Sequence, residues 1–206
     1  MSRDGSTPFG RGEYSTADLS HLLGREYQFE DVDYTVSSSN IGAKKNRSGK
    51  MVTCRLVRND AGFALEPKRL VIFSTAVEEF NAVVDGYART GAVRSFPVDE
   101  FIPSAGVPDG AYFYIVVKGP AMILTPIAGA EFNGDISIGT RIVALTAATS
   151  GATTAGRGAV MNITGSSQAT DYTFLMDNVI GRIGHALSAK TTGNTNADLL
   201  VDVGKW

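Results

Sequence analysis

Asp135-Ile136-Ser137-Ile138-Gly139-Thr140-Arg141-Ile142-Val143-Ala144-Leu145-Thr146 leads into a tract, ending at Gly156, made almost entirely of Ala, Thr, Ser and Gly. Ile136 and Ile138 alternate with polar neighbours, which predicts a strand with one buried face. Gly139 marks a bend of the kind that turns a barrel corner. Beyond it, Arg141, Val143 and Leu145 share one face of a second strand, with Ile142 and Ala144 on the other. The side chains of 147–156 are too small to fill a core, so that tract suits close approach to another surface.

Two later segments repeat the pattern. Ile180-Gly181-Arg182-Ile183-Gly184-His185-Ala186-Leu187 again joins apolar residues to closely spaced glycines, and Leu199-Leu200-Val201-Asp202-Val203 places Leu199, Val201 and Val203 on one strand face. In this order, the Gly-Thr-Arg-Ile-Val-Ala run, the Ile-Gly-Arg element and the Leu-Leu-Val-Asp-Val strand resemble the lambda-type head decoration, or capsid cement, proteins of tailed phages, over residues 112–206. The resemblance implies a small β-barrel on the outer surface of a virion shell, made in the host cytoplasm. It implies the major capsid protein as partner, association with its own copies as a homotrimer, and an N-terminal arm that staples the shell.

Composition agrees with a β protein. Among 206 residues there are 23 glycines, above the usual share of about 7%, and only 19% are charged. The expected fold is mainly β, a glycine-cornered barrel or sandwich with an extended N-terminal arm and at most one or two short helices. The net charge of -2 gives no global attraction to nucleic acid or to an anionic membrane. No apolar run is long enough to cross a membrane as a helix, and the first residues lack a signal-peptide core. The one cysteine, Cys54, excludes an internal disulfide and reads as a small core hydrophobe in an alternating strand.

The chain divides by composition into an arm, 1–49, and a β-rich domain, 50–206. Ser, Gly, Arg and Asp dominate the arm, which predicts disorder in the isolated chain. Within it, 15–23 reads as a short helix capped by Ser15 or Thr16, with Leu19, Leu22 and Leu23 on one side, too short to stand without a surface to cover. Tyr27, Phe29 and Asp31 follow on one face of an extended segment, and Glu30, Asp31 and Asp33 read as a solvated acidic stretch. Lys44, Lys45, Arg47 and Lys50 form a basic cluster, either a solvated loop or a contact for an acidic surface. The capsid-contact candidates are therefore Leu19, Leu22, Leu23, Tyr27, Phe29, Lys44, Lys45, Arg47 and Lys50.

In the body, Val52, Cys54 and Leu56 point inward, and Asn59-Asp60-Ala61-Gly62 predicts a hairpin into Phe63-Ala64-Leu65. Leu70-Val71-Ile72-Phe73 reads as a strand buried on both faces. A helix is expected over 76–84, with Val83-Val84-Asp85 as an alternative strand. Glycines and prolines make 89–110 a long loop, and 162–177 is a second excursion. Tyr112-Phe113-Tyr114-Ile115-Val116-Val117 reads as the central strand, and Pro120 separates it from a further short strand, 121–124.

The residues that carry chemistry form no constellation. His21 and His185 lie far apart in segments of different kind, which gives no dyad and no zinc set. Gly151 to Gly156 has the spacing of half a phosphate loop, but Arg157-Gly158 stands where the Lys and Ser/Thr belong. Asp99 and Glu100 are adjacent and read as pointing apart. No catalytic residue, metal site or cofactor is expected, and the chain reads as a structural protein that is not an enzyme. The alternatives are a tail or fibre-base subunit of a phage and, further off, a β-barrel carbohydrate-binding module or hydrolase.

Overall fold

Tyr112-Phe113-Tyr114-Ile115-Val116-Val117 opens the strand on which the architecture depends. A computed structural model describes residues 7–33, 45–74, 82–85, 95–125, 136–144, 158–160, 182–190 and 197–204. Among them are eleven strands: β1 (Tyr14–Ser15), β2 (Glu26–Asp33), β3 (Lys45–Asn59), β4 (Leu70–Phe73), β5 (Ala82–Asp85), β6 (Phe96–Pro97), β7 (Tyr112–Thr125), β8 (Arg141–Ala144), β9 (Gly158–Val160), β10 (Arg182–Ala186) and β11 (Ala197–Val203). The protein is mainly β, as the sequence predicts. The hydrogen-bonded order is β6-β4-β5-β3-β7-β11-β10-β8-β9, with β1 added on β7 and β2 on β3. These pairs are antiparallel except β3 with β5.

β7 belongs to two sheet regions. Its first half pairs with β3 from Tyr112↔Arg58 to Lys118↔Thr53, and its second half pairs with β11 from Gly119↔Val203 to Thr125↔Ala197. The sequence reading ends a strand at Pro120, whereas the structure runs one strand through it. Gly119 makes that possible. It adopts φ +98°, and a Cβ there would stand 2.6 Å from the Met51 carbonyl oxygen, so the chain bends closely over β3 without losing its ladder.

Alternation along β3 and β7 then builds two cores. Val52, Cys54, Leu56, Tyr114 and Val116 face one side, where they join Ile123, Ile142, Ile183, Leu199 and Val201. Val57, Phe113 and Ile115 face the other, against Leu65, Val71, Phe96, Val98, Ile102 and Val107. Burying a side chain of this size stabilises the fold by about 1.5–3 kcal/mol, which is why strands apolar on both faces occupy the centre. Cys54, Leu70-Val71-Ile72 and the alternation of Leu199, Val201 and Val203 are all buried as expected.

Several local expectations are corrected. Phe63-Ala64-Leu65 does not fold back on β3 as a hairpin. Leu65 bridges to Val107, because the Asn59 amide spans the gap, donating to Phe63 O at 2.8 Å and Val107 O at 2.9 Å. Of the predicted 89–110 loop, residues 95–107 supply a wall of the second core through Phe96, Val98, Ile102 and Val107. Ala82–Asp85 is strand, not helix, and the rest of the 76–84 expectation lies outside the described residues. Ile136 is buried and bridges to Lys190, but Ile138 is 69% exposed, since the chain turns at Ser137–Thr140 instead of alternating. The tracts 147–156 and 162–177 also lie outside the described residues.

The division at 49/50 is no structural boundary. β3 runs across it from Lys45 to Asn59, and residues 7–33 lie on the body. In place of a helix over 15–23 there is one 3-10 turn, Ser20–Leu22. Ser15 is taken into pairing with Tyr112, its hydroxyl accepts the Ala17 N–H at 3.1 Å, and Asp18 accepts the Ser20 N–H at 2.9 Å, so the helix is left room for a single turn.

Candidate functional site

The feature that the sequence reading passed over is Arg11. Gly10 and Gly12 flank it, and at Gly12 the backbone takes φ +84° with space so limited that a Cβ would approach Phe101 Cβ to 2.5 Å. This turn sends the Arg11 side chain inward past Phe101, whose ring centroid lies 4.8 Å from the guanidinium carbon. Its Nε donates to Asp99 Oδ2 at 2.7 Å, with both side chains completely buried. Nη2 lies 3.5 Å from Glu100 Oε1, and Nη1 stands 3.8 Å from Asp31 Oδ1, too far for a hydrogen bond.

A second guanidinium closes the group. Arg47 donates to Asp31 Oδ1 at 2.6 Å through Nη2 and at 3.0 Å through Nε, and to Glu100 Oε2 at 2.9 Å through Nη1. Two cations and three carboxylates therefore meet where the N-terminal segment, β2, β3 and the 99–101 turn converge, and the group is one unit negative. Asp99 is held in place from its other side, where Oδ1 accepts the Phe101 N–H at 3.1 Å.

Burial alone would lower the Arg11 pKa, but Asp99, with Glu100 assisting, outweighs it, so the guanidinium is held more firmly charged than usual. Burial raises the Asp99 pKa above the ordinary carboxylate value, with Arg11 opposing. The nearby Cys54 thiol is pushed well up by burial and by the Asp99 charge. These carboxylates are occupied by guanidinium, and among the described residues no group of three or more His, Cys, Asp or Glu is arranged to hold a metal ion.

Beside the charges lies an aromatic cluster. Phe9, Tyr27 and Phe29 surround Tyr114 at centroid distances of 4.8, 5.6 and 5.3 Å. The Tyr112 hydroxyl donates to Asp18 at 3.1 Å, whereas the buried Tyr114 hydroxyl has no hydrogen-bond partner among the described residues.

The contact candidates are thus distributed unevenly. Leu19, Leu22, Leu23, Tyr27 and Phe29 are partly buried against the first core, so the apolar face of the N-terminal segment covers this chain's own body. Arg47 joins the buried group, and Lys50, nearly half exposed, pairs with Asp202 at 3.1 Å. Lys45 begins β3 opposite Asp33, and Lys44 lies outside the described residues. Asp31 is buried and paired, not part of a solvated acidic face, because it shares the inward face of Tyr27 and Phe29. Asp99 and Glu100 do not point apart, since both reach Arg11. His21 lies exposed in the 3-10 turn, and His185 lies in β10 opposite Asp202.

A signal for Arg11 existed only indirectly, as a lone cation between two glycines. Its partner lies 88 residues away, a distance that no local pattern spans. No protein-family model matches the chain, and no curated protein or solved structure is significantly similar to it.

Proposed function

We propose that this protein is a virion structural protein that binds the outer surface of a phage capsid and stabilises the mature shell, acting by binding and not by turnover. The observation that carries the reading is the arrangement of the three segments that resemble decoration proteins. They are consecutive neighbours in one piece of sheet: β11 pairs with β10 through Ala186↔Val201 and Gly184↔Val203, and β10 pairs with β8 through His185↔Arg141 and Gly184↔Ile142. Three segments that lie far apart in sequence thus form a single contiguous unit. Ile138, an exposed apolar side chain in the turn leading into β8, offers that unit a contact.

Because residues 7–33 are committed to the body, shell contact falls to the sheet formed by β8, β10 and β11. Binding to the mature lattice in preference to a broken one stabilises the lattice by linkage, and about 1–2 kcal/mol per copy sums to a large barrier over a shell. Self-association as a trimer at lattice three-folds belongs to the same reading, since closed rings also cover strand edges.

The test is particle assembly without this chain. Such particles should form but release DNA on heating or osmotic shock, and added purified protein should restore resistance, while Ile138→Asp should weaken that add-back. Copy number decides against the tail or fibre-base alternative if it matches the number of shell positions. Particles that stay robust without the chain but lack a tail structure overturn the capsid reading.

A further inference from the structure

The Arg11 site has the form of a receptor with its ligand in place. The segment 7–23 carries much of its own internal hydrogen bonding: Glu13 N to Gly10 O, Leu22 N to Leu19 O and Leu23 N to Ser20 O in the backbone, and Gly10 N to Glu13 and Ser20 N to Asp18 through side chains. It meets the body chiefly through side chains: the Arg11 guanidinium, the Asp18 carboxylate and the apolar Phe9, Leu19, Leu22 and Leu23. Among the described residues its one ladder with the body is the two-residue pairing of β1 with β7. It ends at Gly24, whose N–H bonds Leu56 O where β2 begins.

The socket remains with the body when that segment is removed in thought. Asp31 lies on β2, Arg47 on β3, and Asp99, Glu100 and Phe101 on one turn, each fixed without Arg11. An empty socket takes from Asp99 its 2.7 Å charged partner and uncovers the apolar surface beneath Phe9 and Leu19, which together keep the vacant state rare. What fills it must bring a guanidinium on an extended chain, an aromatic ring for Tyr114 and an acceptor for the Tyr112 hydroxyl. The same segment of a second copy brings all of these.

We infer that the Asp31–Asp99–Glu100 socket, with Phe101 over it, is a guanidinium receptor that Arg11 of a second copy of this chain also fills, so that residues 7–23 exchange between copies about Gly24. Exchange of identical elements keeps every contact and changes only which chain supplies it, which makes it a low-cost route to association. The inference goes beyond the capsid reading in naming the contact between copies. It is tested in purified protein without any shell, so the two can fail separately.

The experiment is charge complementation. Arg11→Asp places a fourth carboxylate in its own socket, and Asp99→Arg places a third guanidinium there. Each variant alone should open, and labelling of the buried Cys54 thiol, the only cysteine in the chain, should accelerate about a hundredfold or more. In an equimolar mixture, exchange sets the introduced carboxylate of one variant against the introduced guanidinium of the other in one socket, and restores the native Arg11 with Asp99 pair in the second. Slow labelling should return, with a mixed oligomer in native mass spectrometry. Arg11→Asp with Asp99→Arg in one chain shows whether the reversed pair is tolerated. If that chain labels slowly and the mixture stays fast, the inference is overturned.

A second measurement leaves the charges untouched. Ser15 and Tyr112 lie directly opposite in the β1–β7 ladder, at a separation that suits a disulfide. Chains carrying Ser15→Cys mixed with chains carrying Tyr112→Cys should yield covalent dimers on mild oxidation. No dimer from the mixture, while the double variant closes within one chain at every concentration, also overturns exchange.

Discussion

Replacing Arg11 with Met keeps most of the aliphatic stem and removes the guanidinium. Asp99, whose side chain is completely buried, then loses its 2.7 Å partner, and the group passes from one excess negative charge to two around Glu100 and Asp31. Removing one partner of a buried pair costs about 3–5 kcal/mol, most of it the desolvation of the charge left behind. For a chain of this length, roughly 2–4 °C accompanies each kcal/mol, so the midpoint of thermal unfolding should fall by about 6–20 °C. Combining Arg11→Met with Asp99→Asn removes the stranded charge and keeps an acceptor for the Phe101 N–H, so most of the loss should return. Thermal unfolding followed by circular dichroism gives the midpoints of both variants, and urea unfolding gives their free energies.

The pH dependence has a definite sign. Burial raises the folded-state pKa of Asp99 above the ordinary value of 3.8, and in Arg11→Met nothing at position 11 opposes it. The folded form then holds the proton more tightly than the unfolded one, so this contribution is favourable at low pH and is lost as pH rises through the raised pKa. The deficit of Arg11→Met against the parent should therefore grow as pH rises above the ordinary carboxylate value of 3.8. A loss below about 1 kcal/mol at pH 7, with no recovery in the double variant, would refute the claim that this pair anchors the N-terminal segment.

Three further outcomes follow from the geometry. Gly184→Ala sets a Cβ into the Asp202 carbonyl oxygen across the β10–β11 pair, so the backbone must shift and stability should fall by more than about 2 kcal/mol in the same urea assay. Tyr114→Phe removes a buried hydroxyl that has no hydrogen-bond partner among the described residues while keeping the ring among Phe9, Tyr27 and Phe29, so calorimetry should find it neutral or up to about 1 kcal/mol more stable. Arg47→Ala should cost about 3 kcal/mol or more because it removes the hydrogen-bonding partner of Asp31 and weakens the hold on Glu100, whereas Lys50→Ala should cost less, because the Lys50 ammonium is nearly half exposed even though its partner Asp202 is buried.

The strands were legible where a single face or both faces were apolar over several residues. Tyr112 to Val117, Leu70 to Phe73 and the alternating Leu199, Val201 and Val203 needed no partner to be recognised. Ile138 misled because its alternation with Ile136 is also compatible with a tight turn, and Pro120 misled because Gly119 supplies a backbone geometry that lets the ladder continue. The N-terminal segment was misjudged for a different reason. Its composition is that of a chain unable to form a core of its own, and that remains true. Its apolar residues complete a core that β3 and β7 supply, and its one decisive cation answers a carboxylate 88 residues later. Charge patterning along the chain cannot reveal pairs that only the fold brings together, which is why Lys44 to Lys50 read as a uniform cluster when Arg47 and Lys50 have separate partners.

The strand shared between the two sheet regions also sets an order of events during synthesis. β3 has no neighbour in β7 until Lys118 has been made, and the second half of β7 waits for β11, which ends at Val203. Such long-range pairing folds slowly, because chain entropy is lost before the contacts form. At about 5–20 residues per second, the 88 residues between Arg11 and Asp99 take roughly 4–18 s to emerge. Throughout that interval Phe9, Tyr27 and Phe29 have no Tyr114 to cover. A ribosome carrying this chain thus displays an aromatic segment bearing Arg11 that precedes its own acceptor, and nascent chains on one message are neighbours during the time in which that segment is unclaimed.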